Sequence, residues 1–165
     1  MALRLALELS NKIAAVAPVV AAMPAIACNS PNHPTSVLFM NGTGDPLLPY
    51  NGGEVAPGIG GRGTVLSAQE SVNAWVSFNQ IVSSPVTVNF PDINTADGST
   101  VKSVTYSNGI EGTQVVLYDI SGGGHVEPSL QEQYGVKLEL LLGKQNHDIE
   151  MAKEIWNFFK NKTLQ

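Results

Sequence analysis

The sequence contains very little cysteine and histidine. Its single cysteine, Cys28, excludes an internal disulfide, and its three histidines do not share the spacing of a structural zinc site. The redox compartment stays open, because a secreted protein need not contain disulfides. We therefore expect neither a disulfide scaffold nor a bound metal ion.

Charge is also scarce, and there is no basic excess. Charged residues make up 14% of the chain, and 9 basic against 14 acidic side chains give a net charge of -5. A surface with this balance offers no attraction for phosphate backbones. We therefore expect no binding to nucleic acid.

No apolar run is long enough to cross a membrane comfortably. The run from Ile13 to Ala27 falls short of the about 20 residues that a membrane-spanning helix needs, and Pro18 and Pro24 divide it into strand-sized pieces. Two interpretations of this segment stay open. One is a buried strand that follows a helix over Ala2–Leu9, and the other is a secretion signal that is cleaved before Cys28.

Apolar and small residues are abundant. Hydrophobic residues make up 43% of the 165 residues, and 16 glycines and 10 prolines are dispersed without a period. This composition is typical of an ordered globular protein with many tight turns, and it excludes collagen and simple repeats. The length fits a single domain over residues 1–165.

Short apolar strands alternate with helices along the chain, which predicts an α/β fold with a mostly parallel sheet. Ser67, with Glu70 three residues later, forms a capping-box pattern that opens a helix running to about Asn79. The predicted strands are Ile13–Val20, Ser36–Asn41, Thr87–Phe90, Ser99–Tyr106 and Thr113–Ile120, and the other predicted helices are Ala2–Leu9 and Asp148–Lys160.

Several chemically notable side chains have a purely structural interpretation. Trp75 and Trp156 recur at helical spacing with other apolar residues, which indicates core packing. Cys28 is predicted to be a small buried residue and not a nucleophile. His33 and His147 belong to no motif, so we expect both at the surface and neither in a metal site.

Two loops carry a matching acid and base. Asp45 follows the strand Ser36–Asn41 across a turn of small residues, and His125 follows the strand Thr113–Ile120 across three glycines. Functional groups collect beyond the carboxyl ends of parallel strands. A carboxylate that accepts the Nδ1–H of a histidine fixes its tautomer and leaves the other nitrogen free to take a proton from a nucleophile. The pattern therefore predicts two members of a catalytic triad, in the order Asp then His that α/β hydrolases use.

A resemblance to a known family makes this prediction specific. The segment Val37–Gly53 reads Val-Leu-Phe-Met-Asn-Gly-Thr-Gly-Asp-Pro-Leu-Leu-Pro-Tyr-Asn-Gly-Gly. It resembles the acid-bearing loop of secreted esterases related to polyhydroxybutyrate depolymerase and feruloyl esterase, which typically read His-Gly-Thr-x-Asp-Pro-x-x-Pro-Tyr-x-Gly-Gly. The segment Gly122–His125 resembles their histidine loop, and residues 2–23 resemble the stretch after their nucleophile elbow. The resemblance implies a partial α/β-hydrolase fold, with Asp45 as the triad acid and His125 as the base.

The chain departs from this family at several positions. No Gly-x-Ser-x-Gly nucleophile motif and no His-Gly-Gly-Gly oxyanion motif occur in the sequence. Asn41 stands where the family often has histidine, and Val126–Pro128 replaces the usual Thr/Ser-Trp-Pro. A cysteine pair frequent in the family is replaced at Asn79–Gln80 and Ser107–Asn108. By resemblance the serine would lie a few residues before Met1, so we expect the chain to be the C-terminal half of a truncated hydrolase domain.

The resemblance implies a carboxylic-ester hydrolase that acts on a polyester or an aryl ester, without a metal or organic cofactor. Without a serine, the chain alone is expected to be inactive. Half a sheet would leave a strand edge and an apolar helix face uncovered, so we expect a homo-oligomer or a complementing chain. The alternative is a non-catalytic binding module that reuses half of a hydrolase fold. Family members are often secreted or periplasmic, but the localisation of this chain is left open.

Overall fold

The architecture is a five-stranded mixed sheet with helices on its two faces, which confirms the predicted α/β class. The structure, a computed structural model, describes residues 1–26 and 28–164. Within these ranges, no helix is both long and apolar enough to cross a membrane. The strands are β1 (Ala15–Val16), β2 (Ser36–Gly42), β3 (Gly53–Glu54), β4 (Thr64–Val65), β5 (Val86–Asn89), β6 (Thr100–Tyr106) and β7 (Val115–Ser121), and the α-helices are α1 (Ala2–Glu8), α2 (Ala68–Phe78), α3 (Val136–Leu142) and α4 (Met151–Phe159).

The main sheet has the strand order β1-β2-β7-β6-β5. Strands β1, β2 and β7 run parallel, whereas β5 and β6 form an antiparallel hairpin that extends the sheet from β7. The predicted parallel pairing is therefore confirmed for β1, β2 and β7, and the antiparallel hairpin makes the sheet a mixed one. The connection between β5 and β6, residues 90–99, is shorter than the about a dozen residues that a parallel crossover needs.

The central strands β2 and β7 are buried along almost their whole length. Phe39 and Leu117 belong to one apolar cluster, which α1 and α2 cover and in which Trp75 is fully buried, as predicted. Met40 and Tyr118 belong to the cluster on the other face, which α4 covers. Burial on both faces explains why these strands are continuous apolar runs.

Helix α2 begins with the predicted capping box. The Ser67 hydroxyl accepts a hydrogen bond from the Glu70 backbone N–H at 3.1 Å, and Glu70 Oε2 accepts one from the Ser67 backbone N–H at 2.9 Å. Hydrogen bonds from the Ser67 hydroxyl and backbone also favour the ionised carboxylate, so they lower the pKa of Glu70.

The strand predicted over Ile13–Val20 is much shorter in the structure. Only β1 forms a regular ladder, and a single bridge from Val19 to Met40 continues the pairing. Pro18 has no N–H to donate to β2, and Val20 has a φ of 44°, outside the range of extended backbone.

Cys28 lies in the loop between β1 and β2. Cys28 is half-buried against the α1 and α2 side of the core, less buried than predicted, and its Sγ lies 3.5 Å from the Ile26 carbonyl oxygen. Ala27, which belongs to the alternative signal segment, lies outside the described residues.

The C-terminal region differs most from the prediction. Helix α4 is shorter than the predicted Asp148–Lys160, and Trp156 is 66% exposed, so its predicted core position is wrong. The helix packs on the sheet through Ile155 and Phe158, and Trp156 lies about 100° further round from Ile155. Helix α3 was not predicted.

Replacement of the α2 cap is expected to weaken the fold without changing it. In Ser67→Ala the Glu70 backbone N–H loses its acceptor, which costs about 1 kcal/mol of unfolding free energy. Urea denaturation followed by circular dichroism measures the change. Ser77→Ala, the same substitution at an exposed position within α2, is the control and should not destabilise the protein, because alanine is the better helix former.

Candidate active site

Asp45 lies just beyond the carboxyl end of β2, and its side chain is only 2% exposed. Its Oδ1 accepts hydrogen bonds from the backbone N–H groups of Leu47 and Leu48, both at 2.7 Å. Such a turn is usual for an aspartate that starts a loop. Here the two N–H groups hold the carboxylate in one orientation and leave Oδ2 available for another partner.

His125 lies beyond the carboxyl end of β7, after three glycines. The histidine loop is held by its backbone: Gly124 N–H donates to the Lys144 carbonyl at 2.8 Å, and His125 N–H donates to the Leu142 carbonyl at 2.6 Å. The end of α3 and the residues just after it therefore hold the backbone of the histidine loop in place.

The two loops are also bonded to each other. Gly44 N–H donates to the Gly123 carbonyl at 2.9 Å, and Gly122 N–H donates to the Thr43 hydroxyl at 2.8 Å. Because β2 and β7 are parallel neighbours, their carboxyl ends lie at the same rim of the sheet. The separation of 80 positions along the chain thus becomes direct contact in space.

Glycine is required where the loops meet. A Cβ on Gly42 would overlap the Gly123 carbonyl, and one on Gly124 would overlap the Leu142 carbonyl and the backbone of Gly143. These neighbours are backbone atoms, so they cannot move aside as a flexible side chain would. Three chain segments therefore approach more closely here than residues with side chains allow.

The loops bring the predicted acid and base into contact. Asp45 Oδ2 lies 2.8 Å from His125 Nδ1, and the imidazole is 30% exposed. Because an ionised carboxylate only accepts hydrogen bonds, this contact places the imidazole proton on Nδ1 and leaves the Nε2 lone pair free. The geometry is that of a base whose tautomer and orientation are set by a buried acid.

No nucleophile is bonded to this base among the described residues. Within residues 1–26 and 28–164, no hydroxyl or thiol forms a hydrogen bond with His125 Nε2. Cys28 has its thiol directed at a backbone carbonyl in another loop. The part of the chain that the structure describes therefore contains an acid and a base, and no assembled triad.

The other histidines do not join this pair. His33 is exposed and precedes β2, at the opposite rim of the sheet from His125. His147 is half-buried, with its Nδ1 2.8 Å from the Ser129 carbonyl oxygen, so it is less exposed than His33. The described parts of the chain hold no group of three or more side chains that could bind a metal ion.

Asn41 is buried near the end of β2, before the loop that holds Asp45. Its Nδ2 donates to the Ala21 carbonyl at 3.1 Å, so it fastens the segment after β1 to β2. On the same face of the sheet, Asp119 is the register partner of Asn41. Burial, and then the neighbouring Asp119 carboxylate, raise the pKa of the Tyr50 hydroxyl.

A buried polar network, which sequence reasoning missed, supports the histidine loop. Asn146 Nδ2 donates to Ser99 Oγ at 2.8 Å and to Asp148 Oδ2 at 2.9 Å, and Asp148 Oδ1 accepts from the Ile93 N–H at 2.8 Å. These bonds join the turn between β5 and β6 to the segment between α3 and α4. A run of polar residues before a helix reads as an exposed linker, so no local signal distinguishes it.

Gln145 extends the same support to the residues after His125. It is fully buried, its Oε1 accepts from the Tyr134 N–H at 3.0 Å, and its Nε2 donates to the Glu127 carbonyl at 3.1 Å. The segment between His125 and α3 is therefore closed by hydrogen bonds at both of its ends.

Comparisons of the chain with protein-family models, with curated proteins and with solved structures found no match.

Substitution of Gly124 is expected to disturb both stability and the pair. In Gly124→Ala the new methyl group overlaps backbone atoms of Leu142 and Gly143, which should cost about 1–3 kcal/mol of unfolding free energy and displace the imidazole. Chemical denaturation measures the first effect, and the His125 ring resonances report the second. Gly135→Ala is the control, because Gly135 has a φ of -72° and open space around the added Cβ, so it should stay within about 1 kcal/mol of wild type.

Proposed function

We propose that this chain supplies the acid and the base of a serine-type carboxylic-ester hydrolase, similar to polyhydroxybutyrate depolymerases and feruloyl esterases. The contact of 2.8 Å between Asp45 Oδ2 and His125 Nδ1 carries the proposal. A buried aspartate in a turn commonly bonds only its own backbone. Asp45 does this with one oxygen and holds a partly exposed imidazole with the other, an arrangement that a purely structural role does not require.

The proposed chemistry is acyl transfer. A serine hydroxyl attacks the ester carbonyl while His125 Nε2 takes the hydroxyl proton, and Asp45 stabilises the imidazolium that forms. The imidazolium then protonates the departing alcohol. A water molecule, deprotonated in turn by His125, hydrolyses the acyl-enzyme and restores the serine. Asp45 keeps its negative charge throughout.

We further propose that the sheet is part of an α/β-hydrolase fold. Strands β2 and β7 end in the acid and the base, in the chain order that such enzymes use. Among the described residues, β1 pairs only with β2, so its outer edge can accept a further strand. A second copy or a complementing chain that adds strands at this edge would approach the same rim of the sheet as His125. The serine is proposed to come from that addition.

A second candidate is a non-catalytic interaction module. It is favoured by the absence of a bonded nucleophile at His125 Nε2 within the described residues, and by the free edge of β1. In this case the pair contributes only to the stability of the rim. Tight binding of a partner chain without any ester turnover would support this second function.

The Asp45–His125 bond can be tested without any turnover. In Asp45→Asn the acceptor for Nδ1–H is replaced by an amide, so the imidazole should lose its fixed tautomer. We expect a protected Nδ1–H resonance in ¹H–¹⁵N spectra of wild type that disappears in Asp45→Asn. Asp92→Asn, the same change at an exposed aspartate, should leave it unchanged. The absence of this resonance from the wild-type protein would contradict the proposed pair.

Ester hydrolysis tests the proposed reaction. Turnover of p-nitrophenyl butyrate by the protein, alone or in complex with a serine-bearing partner, should fall to the background rate in His125→Ala and by about 10⁴-fold in Asp45→Asn. His33→Ala removes an exposed histidine at the opposite rim and is expected to keep the wild-type rate. Turnover that survives His125→Ala would show that the pair is not the catalytic base and acid.

A further inference from the structure

Strand β5 forms the edge of the main sheet opposite to β1, and this edge is uncovered. All residues of Val86–Asn89 are exposed, with fractions of 63% for Val86 and 51% for Val88. Among the described residues, β5 pairs only with β6. Charged side chains usually protect such an edge from pairing with another strand, but residues 85–91 contain none. The edge of β5 is therefore open to a further strand.

The pairing with β6 determines which backbone groups of β5 face outward. Just beyond β5, Phe90 N–H donates to the Val101 carbonyl of β6 at 2.9 Å, in the same register as the strand itself. In an antiparallel pair, residues that bond to the neighbouring strand alternate with residues whose N–H and C=O groups point away from it. Thr87 and Asn89 therefore direct their backbone N–H and C=O groups away from β6, toward the free edge.

The sequence around β5 is symmetric in its chemistry. The segment Pro85–Pro91 reads Pro-Val-Thr-Val-Asn-Phe-Pro, so its reverse places proline opposite proline, apolar opposite apolar and polar opposite polar, with Val88 at the centre. Both prolines occupy outward positions and have no N–H to donate, so they limit pairing to the residues between them. Antiparallel pairing about a two-fold axis sets each residue against its counterpart in the reversed segment. A second copy of the chain is therefore the partner that this edge fits.

We propose that two copies of the chain pair antiparallel through β5, with a two-fold axis at Val88, so that their sheets join into one continuous sheet. Thr87 of each copy then exchanges backbone hydrogen bonds with Asn89 of the other, and every outward N–H group of the two strands has an acceptor. This interface lies at the opposite edge of the sheet from β1. The inference is therefore independent of the proposed hydrolase function and leaves the β1 edge free.

Apolar contacts on one face of the sheet support the same pairing. Phe90 packs on the cluster that α4 covers, and alternate residues of a strand share a face, so Val86 and Val88 lie on the α4 side of the sheet. In the paired strands the two Val88 side chains meet at the axis, and Val86 of each copy lies opposite Phe90 of the other. Cross-strand pairs of apolar side chains stabilise a sheet, and here they cover valines that are exposed in the single chain.

Removal of one outward N–H group tests the backbone pairing. Sedimentation velocity over a range of protein concentrations should show a dimer of wild type. In Thr87→Pro each copy loses an outward donor and keeps its bonds to β6, so the dissociation constant of the dimer should rise by about tenfold or more. Thr87→Ala keeps the N–H group and is the matched control, with a dissociation constant within about threefold of wild type. Circular dichroism should show the same fold for all three proteins, because an edge strand tolerates proline.

Two further variants locate the axis. Val88→Lys places like charges opposite each other and should leave a monomer where wild type is a dimer, whereas Val136→Lys, the same change at an exposed valine of α3, should not. In a Cys28→Ser background, Val88→Cys should oxidise to a covalent dimer, because directly opposed residues of this type have Cα atoms about 4.5 Å apart. Thr87→Cys should not cross-link, because the two copies of this residue are diagonal to each other, more than about 7 Å apart.

Three results would overturn the inference. One is a wild-type protein that stays monomeric at every concentration, which would leave the β5 edge to a strand of another protein. Another is a dimer with the same dissociation constant in Thr87→Pro and wild type, because the copies would then meet elsewhere, for example at β1. The third is cross-linking of Thr87→Cys as fast as that of Val88→Cys, which contradicts an axis at Val88.

Discussion

The candidate site depends on the parallel pairing of β2 with β7. The register pairs Gly42 with Ile120, so the turns that follow the two strands begin at the same level along the strand direction. A slip by two residues would move one turn by about 6.6 Å and keep every apolar side chain on its proper face. The contact between Asp45 and His125 would nevertheless be lost. The glycine contacts between the turns select the register that the apolar pattern alone leaves open.

Besides the glycine contacts, buried polar side chains hold the histidine loop in place. The segment between His125 and α4 contains little regular structure, and its buried backbone groups need partners. Gln145, Asn146 and Asp148 provide them, and their bonds reach both the turn between β5 and β6 and the residues after His125. A network of this kind stabilises only when it is complete, because a buried polar group without a partner is costly. The position of the imidazole is thus linked to parts of the chain far from it in sequence.

Local patterns predicted those features that local physics determines. The buried strands β2 and β7 and the Ser67 capping box each follow from a short stretch of sequence. The contact between Asp45 and His125, 80 positions apart, follows from the rule that neighbouring parallel strands end at the same rim of the sheet. The antiparallel hairpin, the exposure of Trp156 and the burial of Gln145 and Asn146 depend instead on partners distant in the chain. The apolar pattern of α4 does not show which side of the helix faces the sheet. It therefore does not show that Trp156, about 100° round the helix from Ile155, is exposed. The partners of Gln145 and Asn146 are likewise invisible in a linear pattern.

The contact between Asp45 and His125 orients the imidazole without any contribution from a nucleophile. Among the described residues, Asp45 is held by two backbone N–H groups on Oδ1 and by one imidazole N–H on Oδ2. The imidazole is therefore already oriented in the chain itself, and under the proposed function this lowers the cost of aligning it in a transition state. Under the proposed function, what is still needed is a serine hydroxyl placed near His125 Nε2. A strand added parallel to β1 would end at this rim, so the free edge of β1 is where the proposed function places the segment that carries the hydroxyl.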